Sequence, residues 1–166
     1  EKLGAEDAAR KILVHFTSFA FRRTVADPEV ERFLGLFRKT VEGGGNFDQA
    51  MKLALKAVLV SPRFLFRSEN DQPGNAPYRI DAFELASRLS YFLWASMPDK
   101  PLLALAAQGK LHEPDVLAAE VDRMLDMAGA KRGDYVIDLG SGDGRTVISA
   151  AKRGIRAFVV EFNPKM

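Results

Sequence analysis

The positions at which residue type and spacing together dictate a chemistry lie in Val136-Ile-Asp-Leu-Gly-Ser-Gly-Asp-Gly-Arg145. Gly140, Gly142 and Gly144 recur at every second position, directly after a short apolar run that contains Asp138. Glycine suits such a place for three reasons. It lets the chain turn off a strand, lets backbone N–H groups approach a ligand closely, and lets a following helix pack on the strand. A helix starting there offers unpaired N–H groups and a partial positive charge to an electronegative group. Glu161 ends the next apolar run, Ile155-Arg-Ala-Phe-Val-Val-Glu161. A nucleotide-binding β-α-β unit places a ribose-holding carboxylate roughly 20 residues past its glycines. A dinucleotide loop, G-x-G-x-x-G, would require glycine at position 145, but Arg145 stands there and the third glycine falls one residue earlier. A glycine fingerprint alone is weak, the alternative being a structural turn in some other α/β unit. Two flanking strands and an acid strengthen the reading as a cofactor half-site.

Other chemistry is sparse. His15 and His112 are far apart in sequence and make no ligand spacing, so each reads as a packed or solvated side chain. Asp81 and Glu84 have the spacing of a helix cap rather than of an acid pair. Arg22 and Arg23, with Arg63 and Arg67, allow a basic patch, although complementing a helix C-terminus explains the first pair equally well. The chain has no cysteine, which excludes disulfides, cysteine-ligated metal and a C-x-x-C-H haem attachment motif. No metal site is expected.

The elements that must position the glycine loop come late in the chain. Val136, Ile137 and Leu139 read as a short buried strand, residues 146–153 as a helix closed by Gly154, and residues 155–161 as a second strand. Everything earlier reads as helix. Ala9, Ile12, Leu13, Phe16, Phe19 and Ala20 form one apolar stripe over residues 6–22. Asp27 and Pro28 read as N-cap and first residue of a second helix, which Gly43-Gly-Gly45 stops. Asn46 opens a third, ending at Ser61-Pro62. The following Arg63-Phe-Leu-Phe-Arg67, if extended, puts Phe64 and Phe66 on one side, closing a helical core. Residues 68–77 form a linker, then Asp81-Ala-Phe-Glu84 opens a helix that ends before Pro98. Two more follow, one from Asp99 to Ala107 closed by Gly109, the other from Glu113-Pro114 to about Met127. The expected fold is therefore mainly α, about six helices, followed by a short, incomplete Rossmann-like β-α-β unit. Its divisions are a helical module over residues 1–67, the linker 68–77, a second truncated helical module over 78–127, and the partial α/β unit over 128–166.

With 166 residues and 47% hydrophobic content the chain can build a core. A formal charge of +2, with both signs interspersed, gives no signal for nucleic acid or an anionic membrane. No run approaches the roughly 18 apolar residues of a membrane helix. The chain begins at Glu1 without methionine and stops at Met166 directly after the second expected strand, so both ends read as cut.

The G-x-G-x-G spacing after an acidic strand end resembles motif I of class I S-adenosylmethionine-dependent methyltransferases. With Val160-Glu-Phe-Asn-Pro164 it is most similar to their small protein-lysine methyltransferase-like branch. The resemblance starts at about Val121 and implies S-adenosylmethionine as cofactor. Gly140, Ser141, Gly142 and Gly144 would line it, Asp138 would anchor the site and Glu161 would hold the ribose. The sequence names no acceptor substrate.

The helical part resembles a different family. Ala8-Ala-Arg-Lys-Ile-Leu13, Ala20-Phe-Arg-Arg-Thr-Val25, Asp27-Pro-Glu-Val30 and Ala57-Val-Leu-Val-Ser-Pro-Arg-Phe-Leu-Phe-Arg67 are similar to one domain of unknown function. The stretch from Tyr78 to Asp99, which includes Leu89-Ser-Tyr-Phe-Leu-Trp-Ala-Ser-Met-Pro98, is similar to the start of the module that follows it. Both occur in large exported planctomycete-type cytochrome c proteins. The haem-binding part of those proteins has no counterpart here, and the second resemblance breaks off near Val121-Asp-Arg-Met-Leu125. Leu117-Ala-Ala-Glu-Val-Asp-Arg-Met-Leu125 suits both families, so the chain reads as a chimera joined there, by natural recombination or in sequence assembly. Two functions follow. One is an S-adenosylmethionine-binding methyltransferase fragment, cytoplasmic and inactive alone, because about 35 residues bury too little surface to hold a parallel sheet. The other is a non-enzymatic helical docking module of an exported or periplasmic multidomain protein.

Overall fold

The computed structural model describes residues 4–67, 78–139 and 144–160. The chain divides into two compact units, one running to Tyr78 and the other starting at Arg79. The first unit consists of α1 (Ala5–Ala20), α2 (Asp27–Glu42), α3 (Phe47–Leu59) and a single turn, α4 (Pro62–Leu65). Asn46 opens α3 by a reciprocal pair of bonds: its Oδ1 accepts from Gln49 N at 2.9 Å, while Gln49 Oε1 accepts from Asn46 N at 3.0 Å. In α2 the helix begins one residue earlier than Asp27-Pro28 suggests. Ala26 is the N-cap and Asp27 is already helical. Ala26 has no side chain able to cap, and Glu29 at the third helical position reaches back, its Oε2 accepting from Ala26 N at 3.2 Å.

Leu13, Val30, Leu34 and Val58 are fully buried between α1, α2 and α3, and Ala9, Ala50 and Ala54 let the helices approach closely. Phe21, Phe33, Phe37 and Phe47 fill the remaining space in edge-on pairs. Outside this core, Arg38 on α2 donates to Glu6 of α1 at 2.9 and 2.6 Å and also pairs with Glu31. These hydrogen bonds hold the Glu6 and Glu31 carboxyls below their ordinary range and raise the Arg38 guanidinium.

Arg22 overturns the surface-patch reading and keeps the helix C-terminal one in part, since it donates to the carbonyl of Ala20, the last residue of α1. It is 5% exposed, so it contributes to no surface patch, and its backbone is left-handed with φ of 59°. Its guanidinium donates to the carbonyl oxygens of Ala20 (3.2 Å), Arg63 (2.9 Å), Phe64 (3.3 Å) and Phe66 (3.0 Å). A buried cation thus ties α4 to the end of α1 through neutral acceptors. The segment it grips is not extended. Ser61 and Pro62 start a helical turn in which Ser61 Oγ accepts from Arg63 N at 3.4 Å. That turn separates the two aromatics, so that Phe64 packs on the core while Phe66 is 65% exposed.

The second unit contains α5 (Ala82–Trp94), α6 (Lys100–Ala107), a 3-10 turn (Lys110–His112), α7 (Pro114–Met127), β1 (Tyr135–Leu139), α8 (Arg145–Lys152) and β2 (Arg156–Val160). Among the described residues seven α-helices therefore precede β1, the additional one being α4. Asp81 caps α5 by accepting from Phe83 N and Glu84 N at 2.7 and 3.0 Å, and Asp99 caps α6 by accepting from Leu102 N at 3.0 Å. Arg123 on α7 donates to Asp99 and Glu120 and lies over the Trp94 ring, 5.7 Å from its centroid. Donating to the Glu120 and then the Asp99 carboxylate makes the guanidinium hold its proton more tightly than usual.

A single core joins these elements. Ala86 and Leu89 of α5, Leu102 of α6, Leu111, Val121, Met124 and Leu125 of α7, Ala150 of α8 and Ile155 are buried together. Polar ties reinforce the α7–α8 contact: Ser149 Oγ donates to Asp122 Oδ1 at 2.8 Å, and Arg153 donates to Asp122 O at 3.0 Å and pairs with Asp126. The architecture is mainly α with a short parallel two-stranded sheet at its C-terminal end.

Candidate functional site

The two strands that precede the predicted glycine loop and Glu161 pair in register. β1 and β2 pair in parallel from Tyr135 with Arg156 to Leu139 with Val160. Leu139 immediately precedes Gly140 in the chain and Val160 immediately precedes Glu161. The two strands therefore finish as partners, each at the residue before a predicted cofactor-binding position. Asp138 lies in β1 opposite Val159. Gly140, Ser141, Gly142 and Glu161 lie outside the described residues.

Gly144 is described, and it is the N-cap of α8. Its φ of 70° falls in the left-handed region, where a side chain is strained, and a Cβ built there meets no atom within 4 Å. Gly144 O accepts from Ile148 N at 2.9 Å, so the helical bonds begin at once and the first N–H groups of α8 remain without an intrahelical acceptor. Space beside a left-handed glycine at a helix N-terminus is what close approach of an electronegative ligand requires.

Gly154 also needs its missing side chain. Its φ is 76°, and a Cβ would stand 3.1 Å from Cγ of Arg132. Gly133 N donates to Gly154 O at 3.2 Å and Arg156 N donates to Asp134 O at 2.8 Å, so the entry to β1 is pinned to the turn that ends α8. On the sheet, Val136 and Ala157 pack against the core, whereas Tyr135, Ile137 and Phe158 are each more than half exposed. Tyr135 and Phe158 stack with centroids 6.0 Å apart, and Arg156 lies over the Tyr135 ring.

A cleft of about 480 Å³ borders the start and middle of β1, with Phe92 and Leu93 of α5 and Leu125 of α7 in its wall. Gly144 does not line it. Among the described residues no group of three or more histidine, cysteine, aspartate or glutamate side chains could hold a metal. Among them, too, no helix is long and apolar enough to cross a membrane. Sequence reasoning missed a second cleft, in the first unit, where Glu29, Arg32 and Arg63 meet an aromatic wall. Its residues come from four separate elements, and no spacing along the chain announces it.

Two helical family models match the greater part of this chain. Residues 8–69 match a family described as a protein of unknown function (DUF1595), and residues 80–134 match another described as a protein of unknown function (DUF1592). The first match spans all four helices of the first unit. The second runs from just before α5 to the residue before β1, and so continues beyond residues 121–125, where the sequence resemblance was expected to break off. The chain is also similar to a lysine N-methyltransferase of Xenopus laevis named for a subunit of ATP synthase, at 49% identity over 66 residues, which is 39% of this chain and 28% of that protein. The human protein of the same name is 47% identical over 45 residues, which is 27% of this chain and 19% of the relative. The chain thus spans less than a third of either methyltransferase. Both matched lengths exceed the whole stretch from Tyr135 to Met166, so neither match fits within the part of the chain that follows the second helical family. No solved structure matches the chain.

Proposed function

We propose that β1, α8 and β2 form the S-adenosylmethionine-binding portion of a class I methyltransferase, with a protein lysine as acceptor class, and that the chain does not turn over by itself. One observation carries the reading: parallel strands that end in register at Leu139 and Val160, joined through a left-handed glycine with open space at the start of α8. When bound, the cofactor supplies an electrophilic methyl group for transfer to a nucleophile. In this chain the backbone of Gly140, Ser141, Gly142 and Gly144 would line the methionine part, Asp138 would support the loop and Glu161 would accept hydrogen bonds from the ribose hydroxyls. These residues bind and orient, so their contribution to rate would come through proximity. The partial similarity to lysine N-methyltransferases supports the acceptor class. Among the described residues the sheet has two strands, and a methyltransferase pocket and substrate face call for several more.

The two family matches favour a second reading for residues 8–134, in which the helical modules are non-enzymatic packing or docking elements of an exported multidomain protein. Calorimetric titration with S-adenosylhomocysteine separates the readings, run on the chain and on Gly142→Arg and Glu161→Ala. Saturable binding lost in both variants is the outcome expected of a cofactor half-site. A folded, helical chain that takes up no ligand would reject it and leave the helical modules as the functional part.

A further inference from the structure

The cleft in the first unit, of about 350 Å³, has the makings of a small-molecule site independent of the glycine loop. Its wall is apolar: Phe21 and Phe33 meet edge-on, with centroids 6.2 Å apart, and Leu36, Ala57 and Pro62 extend the same surface. Three charged side chains stand at this wall, and two are already committed. Glu29 accepts from Arg23 Nη1 and Nη2 at 2.9 and 2.8 Å, accepts from Ala26 N, and pairs with Arg63. Arg32 follows Glu29 by one helical turn and has no partner among the described residues. Arg23 offsets Glu29, so the cleft carries an excess of positive charge, and the planar guanidinium of Arg32 is free to take a bidentate oxyanion.

Charge and size narrow the ligand. With Arg23 set against Glu29, Arg32 and Arg63 leave the cleft positive, which favours an anion, and the apolar wall of Phe33 and Leu36 favours one that carries a ring over a fully hydrated phosphate. The volume lies near the lower end of the roughly 300–1,000 Å³ typical of ligand pockets, enough for one ring with a short tail. We propose that this cleft binds a small aromatic monocarboxylate. Its carboxylate rests on Arg32 with the Ser61 hydroxyl as a second donor, and its ring lies against Phe33 and Leu36.

The test is a titration of the full chain with 3-phenylpropanoate, followed by ¹H–¹⁵N NMR, with the neutral 3-phenylpropanamide and inorganic phosphate as parallel probes. The carboxylate is expected to bind saturably with a Kd on the order of 1 mM and to shift amides of α2 and the Ser61 turn. Arg32→Gln, at an exposed position without a partner among the described residues, is expected to weaken it about tenfold or more. Ala57→Leu, which fills the wall, is expected to abolish the shifts while the rest of the spectrum stays folded. Equal affinity for the amide, unchanged binding by Arg32→Gln, preference for phosphate, or no saturable shift at about 10 mM would each overturn the proposal.

Discussion

Ile155 offers the sharpest test of whether the strand–helix–strand unit and the helices before it share one core. The residue is 3% exposed and is buried in the same cluster as Leu89 of α5, Leu125 of α7 and Ala150 of α8. Truncating a buried Ile to Ala costs about 2–5 kcal/mol through lost transfer energy and the cavity left behind. A value near 3 kcal/mol suits a site whose neighbours on α7 and α8 are held by the Asp122–Ser149 and Arg153–Asp126 ties and so cannot collapse freely. With a urea slope of about 1–1.5 kcal/mol/M for a unit of this size, the midpoint should fall by roughly 2–3 M. The chain has one tryptophan, Trp94, which lies on α5 and packs against this same cluster. Its fluorescence therefore reports on a helix far along the chain from the perturbed residue. Ile155→Ala should move the Trp94 transition by the full amount, while Ile148→Ala, at a site 52% exposed on α8, should leave it within about 0.5 kcal/mol. An unmoved Trp94 transition in Ile155→Ala, together with amide protection lost only over residues 135–160, would refute the shared core. The C-terminal unit would then be a passenger on an independently stable helical domain.

The remaining predictions concern the first unit. Arg22→Ala removes four hydrogen bonds to carbonyls that water can partly reach, and should destabilise by about 3 kcal/mol in urea melts followed by far-UV circular dichroism. Arg22→Gly should lose roughly 0.5–1 kcal/mol less, because relief of left-handed strain exceeds the added chain entropy of glycine; equal melts for Ala, Gly and wild type would contradict the clamp. The Glu6 and Glu31 carboxyls, held down by Arg38, stabilise the α1–α2 contact above their usual value of 4.5. That contribution should disappear as pH falls through their lower folded values. Carboxyl NMR titration should place both below 4.5 in the wild type and return both toward it in Arg38→Gln; coincident titrations would reject the pairing.

Features legible along the chain are those whose partners are local. The caps at Asn46 and at Asp81 with Glu84, the prolines near the starts of α2, α6 and α7, and the glycines closing helices act through partners within about four residues, so spacing reveals them, whereas Pro62 reads as the end of α3 and not as the start of α4. The same holds for the short strands and for Gly144, whose left-handed backbone is a property of one residue and its loop. The mainly helical class followed by a short parallel strand pair could be read for that reason. Decisions that depend on distant groups could not. Arg22 looks like a surface cation until carbonyls some forty positions away close over its guanidinium. Phe64 and Phe66 part company because Ser61 and Pro62 start a turn that Arg22 then holds. Ile137 was expected to be buried with Val136 and Leu139 yet is more than half exposed, on the same side as Tyr135, since the helices cover one face of the strand pair and a run of apolar residues does not say which. The candidate site stands between the two cases. Its glycines and acids are written in order along the chain, but that Leu139 stands beside Val160 is decided only by the parallel pairing of β1 with β2, strands joined through a helix and not a tight turn.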